Sequence, residues 1–405
     1  MGHRPPCPLR AGQRKEAMTD KTVSSGEVGR RLFPRQGFSA EVAEGDLERF
    51  LGLVATELAP WQVEQVTRPP VVHHRQEALL AVHWHPEFVP MPLIKQRLKA
   101  AFPNIREALI IPTQHNQMMS WGGYTGVEVD CYAKKFNSKV QLLLHFTDEK
   151  VQEAHVLKSM LELTAKYRSS QLFDFMDTII KPREERINQA AMATGADAEV
   201  VAFTRAQVTR IQTLLDENWP KVPAISVKNK LLKNWFDTLR PEVGDLAIGR
   251  VQAYLQAVKQ IVKTHFPLSY FYRASEVIEE VRALGGGVVI PHPEEFWPIL
   301  LAGYDVDGIE TWNPQSQRYT EFLISVVNDQ NRKSTATRRK QLIFMGDDCH
   351  MGEKTKAREL QDEAKASREI GYQPAWDNLN IRKKLVIHGV SRRSVIREYR
   401  ERLKG

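Results

Sequence analysis

Short apolar runs with strand character occupy two separated stretches of this chain, and a long block of helical periodicity lies between them. This interruption limits the possible folds more than any other feature. EALLAVHWH (77–85), EALIIPT (107–113), YTGVEVDCY (124–132) and SKVQLLLHF (138–146) read as buried strands. PLIKQRLKAAF (92–102) reads as a helix among them. From 148 to 284 the period is helical, broken at Pro220, Pro223, Pro241 and Pro267. Strand-like runs return at GGGVVIPH (285–292), DGIETWN (307–313) and RKQLIFMGDD (339–348), with helix-like EEFWPILLAG and QRYTEFLISVV between them. Strands alternating with helices, split by a large helical block, predict an α/β barrel or sheet carrying an inserted helical domain.

Composition narrows the reading. At 405 residues and 42% hydrophobic, the chain excludes wholesale disorder and a fibrous repeat. No run approaches the eighteen apolar residues of a membrane span. Cys7, Cys131 and Cys349 have neither CxxC nor disulfide-framework spacing, which points to a reducing compartment and hence the cytoplasm. The +8 net charge is uneven: residues 331–405 carry +9, residues 1–36 carry +5, and the middle is acidic. Basic ends suit contact with a polyanion, nucleic acid included, or simply a solvated tail. The first 40 residues, polar and without periodicity, read as a flexible arm in which Met18 is a second possible start. In the tail, SRRSVIREYRERL reads as a helix capped by Ser391, able to dock on the fold or to lie along phosphates.

The histidines gather at predicted strand ends, where α/β folds place their chemistry. His83 and His85 in VHWHP project from one face of a strand and can share a metal ion. His115 closes LIIPTQH, His292 closes VVIPH, His145 lies near the end of VQLLLHF, and Asp348 and His350 follow LIFMG. Glu128 and Asp130 share a face of GVEVD, and a carboxylate buried there requires a cation or strong donors. Singly, each histidine reads as a hydrogen-bonded core residue. Together they predict convergence on a metal centre.

The succession VHWH, IIPTQH, GVEV, LLLHF, GGGVVIPHP, DGIETWN and GDDCH resembles, in order over about residues 78–355, the motifs of the polymerase and histidinol phosphatase (PHP) family. The resemblance implies a distorted (β/α)7 TIM-like barrel in two parts (41–147 and 285–355), with the helical insertion (148–284) as a lid and 356–405 as a basic helical extension. It implies two or three divalent metals (manganese, zinc or iron) and phosphoester hydrolysis by a metal-held hydroxide, since coordination can bring the pKa of water to about 7. Carried over, His83, His85, Glu128 and Asp348 hold one metal, and His145 and His292 hold a second, bridged by Glu128. His115 and His350 hold a third. Asp348, Glu128 and His350 are then the catalytic groups, and Arg183, Arg186 and Arg205, in the lid-like PREERINQ and FTRAQVTRIQ, grip substrate phosphate.

The sequence departs from the family pattern at several positions. Pro90 stands where a further ligand is usual, Glu87 comes three residues early, Gln114 replaces an Asp, and Gln207 replaces a His. The second-metal ligand falls at Gln141 or at His145, and His145 is the better donor. A nucleotide or oligonucleotide phosphoester is the expected substrate. Two alternatives stay open: a barrel without catalysis that binds nucleic acid or protein, and a metal-dependent hydrolase of C–N bonds.

Overall fold

The structure, a computed structural model, describes Phe33 and residues 37–334 and 339–405, so most of the expected N-terminal arm lies outside the described residues. The fold is mixed α/β. The strands are β1 (Ala78–Ala81), β2 (Trp84–His85), β3 (Glu107–Ile110), β4 (Met119–Trp121), β5 (Tyr124–Ala133), β6 (Ser138–Thr147), β7 (Gly287–Ile290), β8 (Gly308–Trp312), β9 (Leu342–Met345) and β10 (Cys349–His350). They form a six-stranded sheet, β4-β5-β6-β7-β8-β9, and two parallel pairs, β1-β3 and β10-β2. The expected barrel is therefore not present as one closed sheet. Backbone contacts join the three pieces: His115 bridges Glu128, Thr113 N donates to Trp84 O at 2.9 Å, and Asp348 N donates to His83 O at 2.9 Å.

β6 runs antiparallel to both its neighbours, β5 and β7, whereas β7, β8 and β9 run parallel. This reversal decides which residues reach the site. β5 and β6 pair Asp130 with Gln141 and Gly126 with His145, so the start of β6 lies beside the end of β5. β4 had no counterpart in the sequence reading. Gly122 and Gly123, both at positive φ, form the two-residue turn that folds it onto β5. EEFWPILLAG, expected as a helix, forms two short 3-10 turns, Pro293–Glu295 and Trp297–Leu301. Pro293 and Pro298 supply no backbone N–H to a helical ladder there.

The helical segment holds His155–Ile180, Glu184–Thr194, Ala198–Asn218, Lys230–Thr238, Arg240–Val243 and Asp245–His265, and Ala274–Ala283 leads back to β7. Three of the four expected prolines sit in or at the start of 3-10 turns, while Pro241 opens the short Arg240–Val243 helix. No helix among the described residues is long and apolar enough to cross a membrane.

The C-terminal helix Arg392–Lys404 is capped as expected, Ser391 Oγ accepting from Ser394 N at 3.1 Å. It docks its face of Val395, Ile396, Tyr399 and Leu403 into the main core. Its arginines are largely occupied in that docking: Arg393 pairs with Glu77, Arg397 with Glu107, Arg400 reaches Ala108 O, and Arg402 reaches Asp307 O and Lys340 O.

Candidate metal centre

Seven of the eight residues expected to hold metal meet at one end of the strands. His85, His115 and His350 place ligand atoms within 4.8 Å of one another. So do His83, His85 and Asp348, and so do His83, Glu128 and His292. The three groups interlock through His83 and His85.

Asp348 shows how the centre is built. Its Oδ1 faces three imidazole Nε2 atoms, those of His85 and His350 at 3.3 Å and that of His83 at 3.7 Å. Its Oδ2 is held from behind by Arg368 at 2.5 Å and Gln315 at 2.9 Å. Glu128 divides its oxygens similarly, with Oε2 at 2.8 Å from His115 and 3.4 Å from His85, and Oε1 at 3.5 Å from His292. Both carboxyls ionise well below their usual range, because the surrounding histidines outweigh the opposing effect of burial. Burial disfavours charge on His83 too, yet Glu310, Asp348 and Glu128 raise its pKa to about 10. His85, buried between His350 and His115, is driven the other way, well below its usual value.

The side chains present fit a metal cluster. His83 Nε2, both nitrogens of His85, His115 Nδ1, His292 Nδ1 and both oxygens of Glu128 are buried without a directed hydrogen bond. Leaving so many buried polar atoms unpaired costs about 1–3 kcal/mol each unless something else engages them. Nitrogen and carboxylate donors of this kind suit borderline divalent ions. Three of the residues also hold strained backbone at positive φ: Glu87 at 52°, His292 at 22° and Asp348 at 45°.

Two carboxylates central to this geometry were not among the expected ligands. Glu310 accepts from His83 Nδ1 at 2.8 Å and from His292 N at 2.8 Å, fixing one ring and one backbone turn. Glu87 lies 3.7 Å from His350 and accepts from Gly352 N at 2.8 Å. Its own N–H donates to Gln114 Oε1 at 3.0 Å. Early Glu87 and substituted Gln114 thus work as a pair, while Pro90 caps the helix Met91–Ala101. Glycines make room for both carboxylates. A Cβ on Gly346 would fall 1.5 Å from Glu310 Oε1, and one on Gly352 would fall 2.2 Å from Glu87 Oε2.

Two expectations are corrected. His145 does not join the cluster: its Nε2 lies 2.9 Å from Val82 O and its Nδ1 2.7 Å from Tyr399 Oη. A carbonyl only accepts, so Nε2 carries the proton and Nδ1 accepts from the tyrosine, leaving no free lone pair. Because β6 is reversed, the end of VQLLLHF points away from the site, and Lys139 and Gln141 occupy the end nearest it. The arginines also differ. Arg183 and Arg186 pair with Asp174, and Arg205 donates to Ile179 O, all within the helical segment. The cations whose charge reaches the centre are Lys228 on Glu87, Lys139 on Asp130, Arg368 on Asp348, and Arg168, which acts on His115.

No family model matches the chain, and no curated protein matches it. Among solved structures, a crystal structure from Bifidobacterium adolescentis described as a candidate metal-dependent phosphoesterase aligns at 15% identity and a TM-score of 0.40. The alignment covers 79% of this chain and 99% of that one. A likeness so distant leaves the function to be argued from the side chains.

Proposed function

We propose that this chain is a metal-dependent phosphoesterase of PHP type that hydrolyses nucleotide or oligonucleotide phosphoesters. The observation that carries the reading is the set of three interlocking ligand groups, in which seven buried nitrogens and oxygens of His83, His85, His115, His292 and Glu128 lack a hydrogen-bond partner. On this reading the strand pieces are an opened, distorted form of a seven-stranded barrel. His83, His85 and Asp348 would hold one ion, His83, Glu128 and His292 a second, and His85, His115 and His350 a third. Closely spaced divalent ions supply charge for both the attacking and the leaving oxygen of a phosphoryl displacement and lower the pKa of water.

The chain's own residues prepare that chemistry. With an ion bound, His83 would keep one proton, on Nδ1, donate it to Glu310 and leave its Nε2 lone pair for the metal beside Asp348. Arg368 and Gln315 fix the rotamer of Asp348. Lys228, 3.3 Å from Glu87, brings a cation to where phosphate oxygens would lie. The test is metal analysis of protein expressed with added manganese, followed by assay on p-nitrophenyl phosphate, mononucleotides and short DNA and RNA. At least two equivalents of transition metal and turnover of a phosphate ester are expected. Less than one equivalent would remove the reading.

Gly346→Ala gives a sharper check. The new methyl displaces the Glu310 carboxylate, whose atoms are the nearest to it, and strips His83 of its partner. Metal affinity should fall about 10–100-fold, as for other losses of a carboxylate behind a ligating histidine. Chelator competition measures it. Unchanged affinity would show that Glu310 does not support the site.

A further inference from the structure

Beside the metal centre lies a cleft of about 340 Å³. Its lining carries five cations, Lys139, Arg168, Lys228, Lys230 and Lys263, and no carboxylate among the described residues. Three of these cations have acidic partners just outside it: Asp130 for Lys139, Glu87 for Lys228 at 3.3 Å and Glu353 for Lys230 at 3.2 Å. The other two have no carboxylate within ion-pair distance among the described residues, and acidic groups act on them only from farther off: Asp130 and Glu128 on Arg168, Glu295 and Asp130 on Lys263. Arg168 keeps its Nε buried without a hydrogen-bond partner, and Lys263 has no ion pair among the described residues. Tyr167 and Phe271, packed edge to face at 4.9 Å, give the cleft an aromatic wall.

The positive charge continues beyond the cleft. Burial and the neighbouring Lys263, Lys365 and Lys233 together lower the pKa of Lys259 to about 8. Cations that outnumber the carboxylates paired with them repel one another, so an arrangement like this is relieved by a bound anion. A guanidinium whose Nε lacks a hydrogen-bond partner and an exposed ammonium are suitable donors for phosphate oxygens. The cleft also adjoins the reacting site. Lys228 lines it while contacting Glu87, which lies 3.7 Å from His350, and the charge of Arg168 acts on His115.

We infer that this cleft binds a second phosphate of the substrate, held by Arg168 and Lys263, with the organic spacer against Tyr167 and Phe271. The inference rests on the phosphoesterase reading and narrows it: the substrate carries two phosphates, and a simple monoester fills only half the site. The second phosphate belongs either to a second terminal monoester or to an internal phosphodiester of a short strand.

Binding and turnover with defined probes test this. Butane-1,4-diol bisphosphate, n-butyl phosphate and a 5′-phosphorylated thymidine dinucleotide are titrated calorimetrically into the metal-loaded protein, into Lys263→Ala and into Arg168→Gln. The parent should bind at least one of the two-phosphate probes about tenfold or more tightly than butyl phosphate, and the tighter one identifies the source of the second phosphate. Either variant should reduce that preference about five- to tenfold, with circular dichroism matching the parent. Equal affinity for one- and two-phosphate probes in the parent overturns the inference, and so does a preference that survives both substitutions. A parent that hydrolyses p-nitrophenyl phosphate yet shows no preference keeps the phosphoesterase reading and loses the second phosphate. Absence of both metal and turnover would instead sink the parent reading.

Discussion

Asp348→Asn should lower phosphoester turnover at least about a hundredfold, close to 3 kcal/mol of transition-state stabilisation, and deplete the protein of metal. Asparagine keeps the shape of the side chain and can still accept from Gln315. What it removes is charge. In the parent, Oδ1 faces the Nε2 atoms of His83, His85 and His350, so a single neutral atom would replace the anion that completes one ligand group and faces a histidine of another. Arg368, 7% exposed at its side chain and 2.5 Å from Oδ2, would also keep its positive charge without its partner. Breaking a buried pair in this way costs about 3–5 kcal/mol, so the variant should melt below the parent.

A chelator should separate the two effects. Metal bound at a thousand times its dissociation constant contributes about 4 kcal/mol to stability, and that contribution disappears when it is stripped. The parent should therefore lose several degrees of melting temperature in chelator, while Asp348→Asn, already depleted, should shift little. An Asp348→Asn protein with parental turnover and parental metal content would show that the carboxylate is no ligand.

The seven residues that do converge were legible because strand ends are visible in a sequence. Apolar runs stop at polar residues, and parallel strands bring such ends together. The direction of a strand is not visible in that way, since alternation reads the same along either sense. His145 was misplaced for this reason alone: β6 is the reversed strand, and its last residues lie at the wrong end. Glu310 and Glu87 escaped because a carboxylate that supports a histidine needs no fixed spacing from it. A faint signal did exist, in the glycines at 346 and 352 that leave room for the two carboxylates. The arginines expected to grip phosphate have partners within the helical segment. Arg183, Arg186 and Arg205 looked plausible by motif, whereas Arg168, inside the long helix His155–Ile180, was marked by nothing local.

The residue that took His145 out of the site makes the second large prediction. Tyr399→Ala should destabilise the fold by about 3–5 kcal/mol, and Tyr399→Phe by about 1–3 kcal/mol. The side chain is fully buried, its ring lies 4.9 Å from that of Phe344, and it fills the space left by Gly287, where a Cβ would come within 2.4 Å of the hydroxyl. Phenylalanine keeps the packing and leaves His145 Nδ1 without its donor. Denaturant midpoints, read with their slopes, measure both costs.

The same contact carries a pH signature. Burial depresses the pKa of His145 to about 3 in the folded protein, against about 6.5 when unfolded. Above pH 6.5 both states are neutral and nothing is lost. Below it the unfolded chain binds the extra proton, so stability falls by about 1.4 kcal/mol per unit as pH drops toward 3. His145→Gln has no such group. Its deficit relative to the parent, largest at pH 7, should narrow by about 2 kcal/mol at pH 5. A constant gap would mean that His145 is not the neutral, doubly hydrogen-bonded histidine that its contacts with Val82 and Tyr399 require.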